Sequence, residues 1–329
     1  MTVPYIRPFG LAVGALAAAL VASAAQAEPI RLQAATIAPP DNIWAKVGDR
    51  FAEAVSERTG GEVVIDMSYS GALGDAADTI EALQFNTINI VIQEVGQLDV
   101  YDPLAGLGSY PYLIRDIDHF SVVMDETDIG RSFHDEIEAR TGFKLIGAGF
   151  RGAREMATNR EIHTPDDLAG LKMRIPGQQM FQMTWETLGA SPVPMPSLEV
   201  YTALQQGIID AAENPLEAQV RSKYYEAVPY VIMTGHVNAY YTFMMDSAYF
   251  HSLPPDVQTV LQEEGEAAMR WGTEQVLALI GTYKEVMTEN GVTFIEPDIA
   301  AFRAQLEPLK AEFPEDFQEW ITRFQSAGL

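Results

Sequence analysis

Residues 254–290, "PPDVQTVLQEEGEAAMRWGTEQVLALIGTYKEVMTEN", hold no proline after the opening pair, and Gly291 closes the run. A single helix here would exceed 30 residues, about 50 Å at 1.5 Å per residue. Helices of globular proteins average about 10–14 residues. A rod of this length is suited to bracing two bodies, which restricts the architectures open to the chain. The other reading is two helices broken near Gly272.

The remainder alternates helix and strand signals. Ile43, Val47, Phe51 and Val55 recur every four residues, with Asp41 as the expected cap and Gly60-Gly61 as the stop. "EVVIDMSY" reads as a strand, "DAADTIEALQ" as a helix, and "INIVIQE" and "FKLIGAG" as short apolar strands of a buried sheet. "TPDDL" puts Thr164 at a cap and Pro165 at the first helical position. Then come a strand "KMRIP", a helix "QQMFQMTWETLG", an extended "SPVPM", a helix "SLEVYTALQQG" and a strand "IIDAAE". "PEDFQEWITRFQSAGL" is a last amphipathic helix. This order predicts an α/β protein with largely parallel sheets. No Gly/Ser tether separates two halves, so crossing strands are expected to join them.

Compartment follows from the first residues. Arg7 precedes "LAVGALAAALVASAA" and then Ala25-Gln26-Ala27, the layout of a secretory signal peptide over residues 1–27. The alternative, a membrane anchor, wants a longer and more apolar run. The expectation is a protein of the periplasm starting at Glu28, with 302 of the 329 residues remaining and room for two domains. The absence of cysteine removes disulfides, thiolate metal sites and cysteine nucleophiles together. Without Arg7, 20 basic residues face 46 acidic ones, a net charge of −26. That field disfavours nucleic acid and insertion at an anionic membrane. An anionic ligand would need a local basic site working against it.

Other motifs carry little. "GAGFRG" spells G-x-G-x-x-G at Gly147, Gly149 and Gly152, but no helix opens at the last glycine, so a nucleotide site is not expected. The five histidines show no metal spacing, and no nucleophile elbow or P-loop occurs. Neither a catalytic residue nor a metal or other cofactor is assigned.

One segment is locally basic. Residues 151–174 carry Arg151, Arg154, Arg160, Lys172 and Arg174 against four carboxylates, in a chain that is acidic elsewhere. A guanidinium offers a planar fork that fits a carboxylate with two parallel hydrogen bonds. In "GLKMRIPG", Leu171, Met173 and Ile175 share one strand face, and Lys172 and Arg174 share the other. That second face meets either water or an anion.

"LAGLKMRIP" and "LGASPVPMPSLEVYTALQQGIIDAAENPL" resemble the signature of the dicarboxylate-type solute receptors of tripartite ATP-independent periplasmic (TRAP) transporters. "SGALGDAADTIEALQFNTINIVIQE", "SYPYLI" and "GAREMATNREIHTPDDLAGLKMR" add to the resemblance in the same order, so it covers nearly the whole mature chain. It implies a two-lobed α/β periplasmic-binding-protein fold with ligand in the interlobe cleft. The lobes would be discontinuous, 28–151 plus 240–279 and 152–239 plus 280–329, with the long helix crossing both. It implies Arg174 as the salt-bridge partner of a ligand carboxylate, Arg154 as a second clamp, Asn214 as an orienting donor and Glu94 as a polar contact. Arg151 has no counterpart in the pattern and reads either as a surface ion pair or as an extra ligand group. Alternation in "AYYTFMMD" turns Tyr240 and Tyr241 to opposite faces, and Tyr241 is taken as the one facing ligand.

The implied function is capture of a small organic acid, leaning to a hydroxylated sugar acid, and its delivery to integral-membrane TRAP permease subunits. No chemistry on the ligand is implied. Two alternatives are a periplasmic subunit that presents ligand to a sensor, and an exported enzyme acting on an acidic sugar.

Overall fold

The computed structural model describes residues 28–328 together with the first two residues, so the signal-peptide reading falls outside the described residues. Nine strands form one mixed sheet: β1 (Ile30–Ala35), β2 (Val63–Ser68), β3 (Ile90–Gln93), β4 (Phe143–Thr158), β5 (Lys172–Ile175), β6 (Ser191–Pro194), β7 (Ala211–Pro215), β8 (Tyr230–Asp246) and β9 (Thr293–Ile295). Their order is β2-β1-β3-β8-β4-β7-β5-β6, with β9 also on β8.

Pairing corrects the expectation of a largely parallel sheet. At one end β1 pairs parallel with β2 and β3; at the other β5 pairs parallel with β6 and β7. Between them β4 and β8 run antiparallel to each other, and β3 and β7 join them antiparallel. With 16 and 17 residues, β4 and β8 are long enough to serve both ends. They are the crossing strands, and the architecture is a two-lobed α/β fold of the periplasmic-binding type.

The short strand read at "FKLIGAG" is only the first half of β4, which runs on through the glycines of "GAGFRG" to Thr158. They are bulge and packing residues inside one strand, with register shifts at Ile146/Gly149 and Phe150/Gly152. Gly147 has φ +68°, and a Cβ there would stand 3.0 Å from Glu266 Cα of the overlying helix. The motif lets a helix lie close to a strand.

That helix is continuous from Pro255 to Glu289, 35 residues. Gly272 lies inside it without a break, and a Cβ at this position would come within 2.6 Å of Val47 Cγ2. The small residue allows close approach to the helix Ile43–Arg58, whose Trp44 and Val47 are buried. That helix is capped by Asn42, not Asp41, because the Asn42 side chain accepts the Trp44 N–H. The long helix contributes Ala268, Met269 and Val276 to the core around Trp44 and Phe243. Near its other end Met287 packs with Ala157, Leu204 and Tyr224. The rod therefore touches the cores at both ends of the sheet.

A third core lies on the opposite face of the sheet and joins Leu98, Leu107 and Phe133 to Phe181, Trp185 and Phe302. The last helix, Glu315–Gln325, leans on this layer. Trp320 and Phe324 meet Phe133 with ring centroids 5.5 and 5.3 Å away, and Arg140 pairs with Asp316 at 2.8 Å. The C-terminal segment is thereby tied to residues 110–140.

Candidate ligand cleft

On β5, Met173 and Ile175 are fully buried on the core face, while Lys172 is exposed and Arg174 is buried on the other. The two basic residues share a face, as alternation requires, but only the inner one is covered. Arg174 is 3 % exposed. Its Nε and Nη2 donate to the carbonyl of Met195 at 2.9 and 2.6 Å. Met195 follows β6, and its N–H is held by the Ile175 carbonyl at 3.1 Å. The guanidinium is thus aimed by backbone, and it forms no ion pair with any carboxylate among the described residues. Burial lowers its pKa, as expected for a cation without a close counter-charge.

Arg154, on β4, has a different environment. Its Nε and Nη2 both reach the Glu213 carboxylate, the second at 2.8 Å. Its Nη1 donates to Glu94 Oε1 at 2.8 Å. Burial opposes the charge, yet Glu213 and Glu94 together raise the Arg154 pKa. Glu213, fully buried on β7, is pushed upward by burial, but Arg154 and His236 bring it down to about 2. Arg151 also pairs with Glu94, and its guanidinium lies 4.0 Å from the centre of the Tyr241 ring. Its Nε is buried without a partner. Arg151 is therefore an interior residue and not a surface ion pair.

Asn214 follows Glu213 on β7 and points to the other side, where Nδ2 lies 3.5 Å from the Tyr224 hydroxyl. Tyr241 packs edge-on against Trp44 at 5.0 Å, and burial raises its hydroxyl pKa. Tyr240 faces the opposite core, beside Phe120 and His134.

Arg174, Arg154, Asn214, Glu94, Arg151 and Tyr241 all line one cavity of about 480 Å³. Elements from both ends of the sheet and both crossing strands contribute to it. The geometry changes what Glu94 does, since the carboxylate is occupied by Arg151, Arg154 and Gln178. Lys172 and Arg160, from the same basic segment, lie outside the lining.

Arg221 is a wall residue that sequence reasoning missed. It ends the helix Leu216–Arg221, beyond the basic segment. Its Nε is buried without a hydrogen-bond partner and stands 3.8 Å from Glu217. The i,i+4 spacing of Glu217 and Arg221 was visible, but it ordinarily marks a surface helix pair. Glu217 also accepts from Asn42, the cap of helix Ile43–Arg58, which links the two sides of the cavity.

A charge-assisted hydrogen bond adds about 1.5–3 kcal/mol net, whereas micromolar affinity needs about 8 kcal/mol. Arg174 alone falls short of that. The cavity supplements it with amide and hydroxyl groups and an apolar wall, and its low dielectric strengthens each polar contact. Among the described residues no group of three or more metal-ligating side chains occurs.

A two-lobed fold with an arginine-lined interlobe cavity defines a solute-binding protein. The chain belongs to the bacterial extracellular solute-binding protein family 7, whose profile matches residues 34–316. It is 31 % identical over 295 residues to a solute-binding protein of Roseobacter denitrificans, covering 90 % of each chain. It is 28 % identical over 319 residues to the C4-dicarboxylate-binding periplasmic protein of Rhodobacter capsulatus, covering 94 % of each. Among solved structures, a TRAP periplasmic solute-binding protein from Roseobacter denitrificans with bound L-galactonate superposes with a TM-score of 0.84 at 28 % identity, over 91 % of this chain and 99 % of that one. Among the described residues no helix is long and apolar enough to cross a membrane.

Proposed function

We propose that this protein captures a small organic acid in the periplasm, of the hydroxylated sugar-acid kind, and carries it to integral-membrane TRAP permease subunits. The reading rests chiefly on Arg174. A guanidinium that is 3 % exposed, fixed by a backbone carbonyl and without a carboxylate partner, borders a cavity sized for a small solute. Burying an unpaired charge is costly, and a ligand carboxylate would offset that cost. Arg174 is the anchor, Asn214 an orienting donor and Tyr241 part of the apolar wall. Arg154 holds Glu94 and Glu213 in place and acts on ligand through that frame.

The galactonate complex of the similar protein supports a sugar acid, and the dicarboxylate-binding relative keeps a diacid in view. The ligand is held and released without chemical change. We assign 28–151 plus 240–279 to one lobe and 152–239 plus 280–329 to the other, with the last helix, Glu315–Gln325, reaching back onto the first lobe at Tyr110, Phe133 and Arg140. Solute favours the closed arrangement because only then do both lobes touch it, and the closed form is the one presented to the permease.

A thermal-shift screen of organic acids tests the reading. Saturation at a hundred dissociation constants stabilises by about 2.7 kcal/mol, so a true ligand raises the melting temperature by several degrees. Arg174→Ala is expected to abolish the shift and leave the unliganded melting temperature nearly unchanged. A variant that still responds normally would refute the anchor.

A further inference from the structure

The charges around the cavity are unevenly placed. Arg151, Arg154 and Arg174 bring three positive charges to the inner end, and Glu94 and Glu213 return two negative ones. Burial lowers the pKa of His236, the other group on Glu213, although Glu213 opposes that shift. Among the arginines and carboxylates alone, the excess is one positive charge. Arg221 adds none, because Glu217 stands 3.8 Å away. The same cavity is lined elsewhere by Asp75 and Glu81, from the start and the exposed side of helix Ala76–Gln84. Asp75 Oδ1 accepts the N–H groups of Ala77 and Asp78 at 2.9 and 3.1 Å. Neither Asp75 nor Glu81 has a cation at ion-pair distance among the described residues.

We propose that the cleft selects acids with a single carboxylate and rejects dicarboxylates, with Asp75 and Glu81 as the residues that set this preference. The proposal rests on the carboxylate-binding reading above and narrows it. One ligand carboxylate neutralises the inner end. A second, at the far end of a short chain, meets two carboxylates of its own sign, and the remaining cation of the lining, Arg221, is already shared with Glu217 at 3.8 Å. Like charges brought together there oppose binding, more at half-buried Asp75 than at exposed Glu81, where water screens them. Hydroxyl groups there can donate to Asp75 and Glu81, which favours a polyol tail. This separates the specificity of the protein from that of its dicarboxylate-binding relative while keeping the same anchor.

The test is calorimetry on the full mature chain with matched acids that differ only in the second terminal carboxylate. The pairs are erythronate and meso-tartrate, galactonate and galactarate, gluconate and glucarate. The tightest binder is expected to be a monoacid, with its diacid partner at least about tenfold weaker. The double variant D75N/E81Q removes both negative charges. Asparagine caps a helix about as well as aspartate, so the helix start is retained. The mono-to-di ratio is expected to shrink at least threefold, through gain by the diacid. A diacid as the tightest ligand, or a ratio unmoved in the double variant, overturns the proposal and leaves carboxylate capture standing. If no acid binds and Arg174→Ala is indistinguishable from its parent, carboxylate capture falls and this inference with it.

Discussion

Arg154 and Arg174 stand on strands separated only by β7, and both are nearly inaccessible to water. Arg154 has its carboxylates inside the protein, two of them, with all three donor nitrogens engaged. Arg174 has a carbonyl and a cavity. The same residue type in similar burial thus serves two ends. One site is electrostatically complete within the protein; the other is left without a counter-charge, the place the proposed solute carboxylate would take. Completeness, not burial, separates the frame of this cleft from its proposed anchor.

Removing each arginine sharpens the contrast. Arg154→Ala leaves Glu213 with no arginine in a fully buried position, and breaking a buried pair costs about 3–5 kcal/mol. Urea denaturation of the unliganded protein is expected to show a loss of that size. Arg174→Ala takes away an unpaired buried charge, and its unliganded stability is expected to stay level or rise by up to about 1 kcal/mol. Equal losses for the two variants would break the comparison, because Arg174 would then have a structural partner too.

The two faces of β4 give a second contrast. Arg154 is compensated, whereas the neighbouring Glu155 is not. Glu155 is 4 % exposed, accepts the Gly235 N–H at 2.8 Å and borders a separate cavity of about 220 Å³ near Lys284 and Tyr283. Burial pushes its carboxyl up to about 8 despite that hydrogen bond. Between the ordinary value of 4.5 and about 8, the folded protein keeps a proton that the unfolded chain has released. Folded protein then binds more protons than unfolded, so stability falls as pH rises through this window and levels off above it. Glu155→Gln removes the titration and keeps an acceptor for Gly235. Between pH 5 and pH 8 the parent is expected to lose roughly 3 kcal/mol relative to the variant. Parallel denaturation midpoints for the two proteins across that range would show that Glu155 is ionised in the fold.

These contrasts also mark where sequence reading stops. Alternation in "GLKMRIPG" placed Arg174 opposite the core face, because a four-residue strand obeys a strict period of two. Proline and glycine spacing marked the long helix, whose ends are local features. Asp41 reads as the cap where Asn42 serves, since the two are adjacent and chemically alike at a helix start. The strand at "FKLIGAG" stops short of the full crossing strand β4 because its bulge glycines resemble punctuation; the reason for Gly147 and Gly149 lies partly in a helix more than 100 residues away. In the cleft, the cluster of arginines was legible, but its division of labour was not. Which arginine finds Glu94 or Glu213 depends on strand order, and no local pattern encodes that Glu94 on one side meets Arg154 on the other. Arg221 escaped for the same reason.

The smallest expected effect concerns the link across the cleft. Asn42 uses its oxygen to accept the Trp44 N–H at 2.8 Å and its nitrogen to donate to Glu217. One side chain thus serves a helix on one side of the cavity and a carboxylate on the other. Asn42→Ser keeps the capping oxygen, since serine is among the preferred caps, and drops the reach to Glu217. If the two sides separate when solute leaves, Glu217 regains water in the open form and misses its donor only in the closed one. The penalty then falls on binding and not on folding. Affinity for a cognate acid is expected to fall about fivefold, near 1 kcal/mol, with the urea midpoint of the unliganded protein almost unmoved. An unchanged affinity would mean that the Asn42–Glu217 contact adds nothing to closure. A loss of stability in place of affinity would mean that the two sides stay together whether or not solute is bound, and Arg174 would then face a fixed cavity and not a closing one.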